Sequence, residues 1–171
     1  MSEPLTIAPD IRFVILGQPV TQGSKKSMPI YRNGKPVMKD GRVLTRVINA
    51  LPGLAQWRQE VVQEARKHYD GDLFIGAIRL ELVFSRPRPK GHFGTGRNAG
   101  KLKASAPRFP TSRPDTLKLG RAIEDALTGV IWRDDSQVVQ HVIEKRYGTF
   151  YSVSVWIRPL EQTVVEVEQA F

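Results

Sequence analysis

Three carboxylates stand where their spacing allows shared chemistry: Asp115, Asp134 and Asp135. Asp115 follows Pro114 at the start of a segment with helical periodicity. The Asp134-Asp135 pair lies just past the next short apolar stretch, Val130-Ile131-Trp132. A helix-to-loop excursion of this length is able to bring both ends together. Carboxylates held close repel one another, and a hard cation such as Mg2+, which prefers oxygen ligands, removes that repulsion. Such a site among strongly basic loops suits phosphodiester hydrolysis: the bases hold the anionic backbone, and the metal activates a water and stabilises the leaving oxygen. The same residues also have a plain structural reading, with Asp115 as a helix cap and Asp134-Asp135 as a polar turn.

The elements that must position these groups are readable in outline. After Asp115, residues Leu119, Ala122, Ile123, Ala126 and Leu127 form an apolar stripe at helical spacing, and Gly129 stops the helix. At ~100° per residue, Leu117, Lys118, Arg121, Glu124 and Asp125 share the opposite face. Leu117 is an apolar residue on a charged face, and Glu124 lies two turns along the same line. A second helix is expected from Asn49 to His68, on the spacing of Leu54, Trp57, Val61, Val62 and Ala65. Strands are expected at Ile11 to Gly17, at Gly76 to Phe84, and at Gln137 to Arg146 and Phe150 to Ile157, the last two joined around Gly148. Asn33-Gly34 marks a hairpin. No internal repeat is expected. The fold class is α/β (α+β): a single domain with a mixed β-sheet and about two main helices packed on it. Residues 1–10 read as a flexible lead, 11–160 as the domain, 85–114 within it as a long basic loop, and 161–171 as an acidic tail.

The charge is concentrated. Lys plus Arg number 26 against 17 Asp plus Glu, a formal net charge of +9. Between Thr21 and Arg46 stand Lys25, Lys26, Arg32, Lys35, Lys39, Arg42 and Arg46, opposed by Asp40 alone. Between Arg86 and Pro114 stand Arg88, Lys90, Arg97, Lys101, Lys103, Arg108 and Arg113 besides Arg86 itself, with no acid. Both runs fall in loop-like sequence, which suits a polyanion backbone better than a membrane surface. Hydrophobic residues at 40% are enough for a core, which rules out wholesale disorder. The absence of cysteine excludes disulfide scaffolds, cysteine-zinc sites and thiol catalysis. The stretch GTGRNAGK fails the Walker spacing, and Leu102 follows its Lys. The polar, acid-bearing start MSEPLTIAPD is no signal peptide, and no apolar run reaches the ~20 residues of a membrane span, so a cytoplasmic location is expected.

The runs Pro114-Asp115-Thr116-Leu117-Lys118-Leu119, Arg121-Ala122-Ile123-Glu124-Asp125-Ala126-Leu127-Thr128-Gly129 and Trp132-Arg133-Asp134-Asp135-Ser136-Gln137-Val138-Val139 together resemble the RusA family of Holliday junction resolvases. The likeness is dense over these residues. It extends more loosely to Gly17-Gln18-Pro19 and to Phe84-Ser85-Arg86-Pro87-Arg88-Pro89-Lys90. It implies a small homodimeric endonuclease, bacterial or phage-encoded, that binds four-way DNA junctions and cuts paired strands with Mg2+, for which Mn2+ substitutes. Asp115 matches the first acid of the family's helix, and Asp135 the catalytic member of the later pair, with Asp134 beside it. Three positions depart from the pattern: Leu117 replaces the second helix acid, Lys118 the Asn and Arg121 the Lys. Leucine cannot ligate a metal, and arginine keeps the charge of lysine without its geometry. Either the site has lost a ligand, or Glu124 supplies the missing carboxylate from the same helix face.

The expected metal ligands are therefore Asp115, Asp134 and Asp135, with Glu124 as a further partner. Lys118 and Arg121 are expected at the scissile phosphate. Lys25, Lys26, Arg88, Lys90, Arg97 and Lys101 are expected along the backbone. Two other functions remain open on the same residues: a non-catalytic branched-DNA-binding protein of the same fold, motivated by Leu117, and an RNA-binding module, motivated by charge and by His92 and Phe93 in the basic loop.

Overall fold

The computed structural model describes residues 9–23, 25–49 and 52–160. The expected lead, except Pro9 and Asp10, and the expected acidic tail over 161–171 lie outside the described residues. In chain order the elements are β1 (Ile11–Leu16), β2 (Lys25–Pro29), β3 (Tyr31–Arg32), β4 (Lys35–Pro36), β5 (Met38–Lys39), β6 (Arg42–Val43), β7 (Thr45–Asn49), α1 (Leu54–His68), β8 (Ile78–Pro87), α2 (Thr116–Leu127), β9 (Val138–Gly148) and β10 (Ser152–Pro159).

Alternation builds the main sheet. Ile11, Phe13 and Ile15 of β1 face Ile157, Val155 and Val153 of β10, and these face Leu80, Leu82 and Phe84 of β8. All nine are buried and share one face, so a slip of one residue would expose the whole set. Sheet order is β1-β10-β8-β9, antiparallel except for the parallel β8–β9 pair. Helices α1 and α2 cover the apolar face with Leu54, Trp57, Val61 and Ala65 from α1 and Leu119, Ala122, Ile123, Ala126 and Leu127 from α2. Each large side chain taken fully out of water there contributes roughly 1.5–3 kcal/mol. The mixed sheet with two helices agrees with the class expected from the sequence.

The close seating of α2 has a local cause. A Cβ on Gly120 would lie 2.5 Å from Ile143 Cδ1 on β9, so glycine lets the helix approach the strand. Because His141, Ile143 and Lys145 pair with Leu80, Leu82 and Phe84, they share the face that α2 covers. The helix and β9 run in opposite senses, with Pro114 near Lys145, Gly120 near Ile143 and Glu124 near His141.

The structure corrects several sequence expectations. The helix expected from Asn49 begins at Leu54, because residues to Asn49 belong to β7. The strands expected on either side of Gly148 both form, as β9 and β10, and β8 lies between them in the sheet. β8 runs on to Pro87, so the basic loop begins there and not at residue 85. The loop carries 3-10 turns at Lys90–His92 and Gly96–Asn98 and bridges at Phe93–Leu102 and Gly94–Ala99. Arg88 donates to the Pro107 carbonyl at 2.9 Å, and Lys103 donates to that of Gly91 at 2.9 Å.

A repeat is present after all. Ile30-Tyr31-Arg32-Asn33-Gly34-Lys35-Pro36 and Val37-Met38-Lys39-Asp40-Gly41-Arg42-Val43 match class by class. Each folds as a two-strand tip, β3–β4 and β5–β6, on a tight turn whose residues Asn33, Gly34, Asp40 and Gly41 have φ of 51, 72, 50 and 74°. Ile30 N–H donates to the Leu44 carbonyl, Leu44 to Val37 and Val37 to Ile30, which closes a ring of backbone bonds where both tips meet the β2–β7 ribbon. In each tip two bases sit directly opposite: Arg32 with Lys35, and Lys39 with Arg42.

Candidate active site

Asp115 occupies the N-cap position of α2 in extended conformation, but its side chain makes no cap bond. Its carboxylate is 3.3 Å from Lys118 Nζ, an exposed pair of small energetic weight. The capping reading of Asp115 therefore holds for the backbone and not for the carboxylate. Leu117 is 76% exposed, so it belongs to the surface beside Asp115 and not to the core. Arg121 is likewise exposed on α2.

Asp134 and Asp135 lie on a 3-10 turn, Asp135–Gln137, that feeds β9. Asp134 is the cap: its Oδ1 accepts from Ser136 N–H at 2.9 Å. Hydrogen bonding from the Ser136 side chain and then its backbone N–H holds Asp134 below the usual carboxylate range. Gln137 fixes the turn from the other side. Its Oε1 accepts from the backbone N–H of Arg133 at 2.9 Å and of Asp134 at 3.0 Å, while its Nε2 donates to the carbonyls of Phe74 at 2.8 Å and Gly76 at 3.1 Å. Asp135 is left exposed at the tip.

Glu124 is the member that the helix wheel singled out. Its Oε2 lies 3.2 Å from His141 Nε2, across the α2–β9 seam. Burial pushes the Glu124 carboxyl above its ordinary value; His141 opposes this, and the charges of Asp135 and Asp125 add to it. The structure thus brings Glu124 into electrostatic range of Asp135. Asp115 stands nine residues earlier, about 13 Å along the helix axis. The carboxylates are hard oxygen donors suited to Mg2+. Among the described residues, however, no three His, Asp or Glu gather closely enough to hold a metal ion, so the protein alone offers no finished cage.

The remaining expected residues surround this region to different degrees. The loop after β1 is tied to α2, since Gln22 N–H donates to the Lys118 carbonyl at 3.1 Å. Arg58 of α1 holds both, at 2.6 Å from Gln22 Oε1 and 2.5 Å from Asp125 Oδ2. That tether leads into β2, where Lys25 and Lys26 pair opposite Asn49 and Ile48. In the basic loop Arg88 stacks over the Tyr147 ring at 4.2 Å, and Lys90, Arg97 and Lys101 are exposed. Sequence reasoning missed His141, Lys145, Gln137 and the Arg58 tether. The first two carry a signal in hindsight: alternate residues of β9 are the ones that must face a helix. Lys145 Nζ donates to the carbonyls of Ser112 at 2.9 Å and Pro114 at 3.0 Å, directly before Asp115.

Comparison with known proteins identifies the family. The model of the family described as "Endodeoxyribonuclease RusA" matches residues 33–158. An "Uncharacterized protein YqaN" of Bacillus subtilis (strain 168) is 30% identical over 149 residues, covering 86% of this chain and 95% of that protein. No helix among the described residues is long and apolar enough to cross a membrane. A match that takes in the second tip, both helices, the acid-bearing turn and three of the four strands of the main sheet makes this chain a member of the RusA endodeoxyribonuclease family.

Proposed function

We propose that the protein is a Mg2+-dependent, structure-selective endonuclease that acts as a homodimer on four-way DNA junctions in recombination and repair. The observation that carries the reading is the carboxylate of Asp115, which stands at a helix cap without capping and has the cation Lys118 3.3 Å away. A helix start whose acid is not spent on the helix suits a ligand outside it. Asp115 and Asp135 would hold the cation, with substrate oxygens and water completing its shell, and Glu124, about 13 Å along α2 from Asp115, would reach it only through water. When bound, that cation supplies an activated water and charge stabilisation at the leaving oxygen. Asp134 keeps the acidic turn in shape through Ser136. Lys118 and Arg121 neutralise the phosphate, while Lys25, Lys26, Arg88, Lys90, Arg97 and Lys101 track the backbone.

The test is a labelled four-way junction with and without Mg2+. Wild-type protein should nick it only with the cation, with Mn2+ substituting. Asp135→Asn should bind and not cut. Binding without product under any cation would leave the non-catalytic branched-DNA reading, which Leu117 in the acid's place favours. Preferential competition by RNA over junction DNA would favour the RNA-binding reading.

A further inference from the structure

A cavity of ≈ 130 Å3 lies between the ends of β8 and β9 and the start of α2, with Gln18, Ser85, Arg86, Arg113, Lys145 and Tyr151 as its polar lining. Three of these six are cations, and no carboxylate lines the cavity. Two of its cations, Lys145 and Arg86, are fixed without being neutralised. Lys145 spends two of its three donors on the carbonyls of Ser112 and Pro114. Arg86 Nη1 donates to Ser112 Oγ at 3.1 Å and to the Arg113 carbonyl at 3.2 Å, while its buried Nε has no hydrogen-bond partner. Carbonyls orient a cation but leave its charge, and partly buried unpaired charge is costly. The volume has room for one tetrahedral oxyanion together with water. The position is also where open sheets take ligands, at the carboxyl ends of two parallel strands.

We propose that this cavity seats one backbone phosphate of bound DNA, next to Asp115. The inference rests on the DNA-cutting reading, and it adds Lys145, Arg86 and Arg113 as the residues that index the strand against the carboxylates. Arginine forks match phosphate oxygens in pairs, and the remaining Lys145 donor supplies a third point of contact.

The test uses junction DNA carrying a single neutral methylphosphonate, moved one linkage at a time, with binding measured in chelator. Wild-type protein should lose about ten- to a hundredfold affinity at one linkage. Arg113→Gln and Lys145→Gln should lose a similar factor on unmodified DNA, lose little more at that linkage, and show a salt slope shallower by ~0.9. Arg113→Gln guards against misfolding, since the exposed Arg113 side chain makes no hydrogen bond among the described residues. Fully additive losses, or wild-type affinity in Arg113→Gln, would overturn the proposal. Inorganic phosphate provides a DNA-free arm: millimolar phosphate should raise the melting temperature of wild type and not of Lys145→Gln. A phosphate shift in a protein that neither binds nor cuts junctions would keep the cavity as an oxyanion site and remove the nuclease reading. Absence of that shift together with additive losses would remove the cavity alone.

Discussion

Gln137 is the side chain on which the acidic turn depends most directly. Replacing it with Leu keeps its bulk and removes four hydrogen bonds at once, those to Arg133, Asp134, Phe74 and Gly76. The two turn amides lie at an exposed edge where water replaces Oε1, so their loss is small. The two carbonyls lie beneath the turn, and Phe74 is buried, so they lose a donor that water cannot easily supply. At ~1 kcal/mol per net hydrogen bond and more for an unsatisfied buried acceptor, the sum is about 2–4 kcal/mol. For a domain of this size that corresponds to a fall of roughly 5–15 °C in Tm. Thermal melting measures it, and amide exchange at Arg133 and Asp134 should speed up. Q137E sharpens the test. It retains the acceptor for both amides but sets a carboxylate against two carbonyls. Its deficit should therefore shrink as pH falls through the glutamate range, where a protonated carboxyl again donates. Gln137→Leu melting within about 1 °C of wild type, with unchanged exchange, would refute the clamp.

Further outcomes follow from the same geometry. Glu124→Gln should slow Mg2+-dependent cleavage, and cleavage at the wild-type rate would refute compensation for Leu117. Because the folded Glu124 carboxyl titrates above its unfolded value, its contribution to stability is complete below the unfolded pKa and is lost as pH rises through the raised folded value. In metal-free buffer, Glu124→Gln should lack that loss across the same window, as read by urea midpoints against pH. Gly120→Val should cost about 1–3 kcal/mol by forcing α2 off Ile143, measured by melting; a neutral result would contradict the tight seam. Replacing Arg32, Lys35, Lys39 and Arg42 with Gln removes two like-charged cross-strand pairs. It should leave Tm unchanged or raised while weakening junction binding and its salt dependence; unaltered binding would free the tips from any DNA role.

The sequence determined what short-range physics controls. The stripe Leu119 to Leu127 with a glycine after it made α2, alternation made β1 and β8, and Asn33-Gly34 made a hairpin. The acids were legible as residues because their types and spacing are local. Even the second tip is written there, as a seven-residue echo centred on Asp40-Gly41, but its strands of two residues each are too short to show alternation. Tertiary structure decided everything that joins segments far apart in sequence. Nothing local to β9 or β10 says that β8 lies between them. That placement puts His141 against Glu124 and Lys145 against Pro114, so it settles which charges meet. Local propensity fixes which way one chain segment turns; only the burial of a shared apolar face fixes which segments become neighbours.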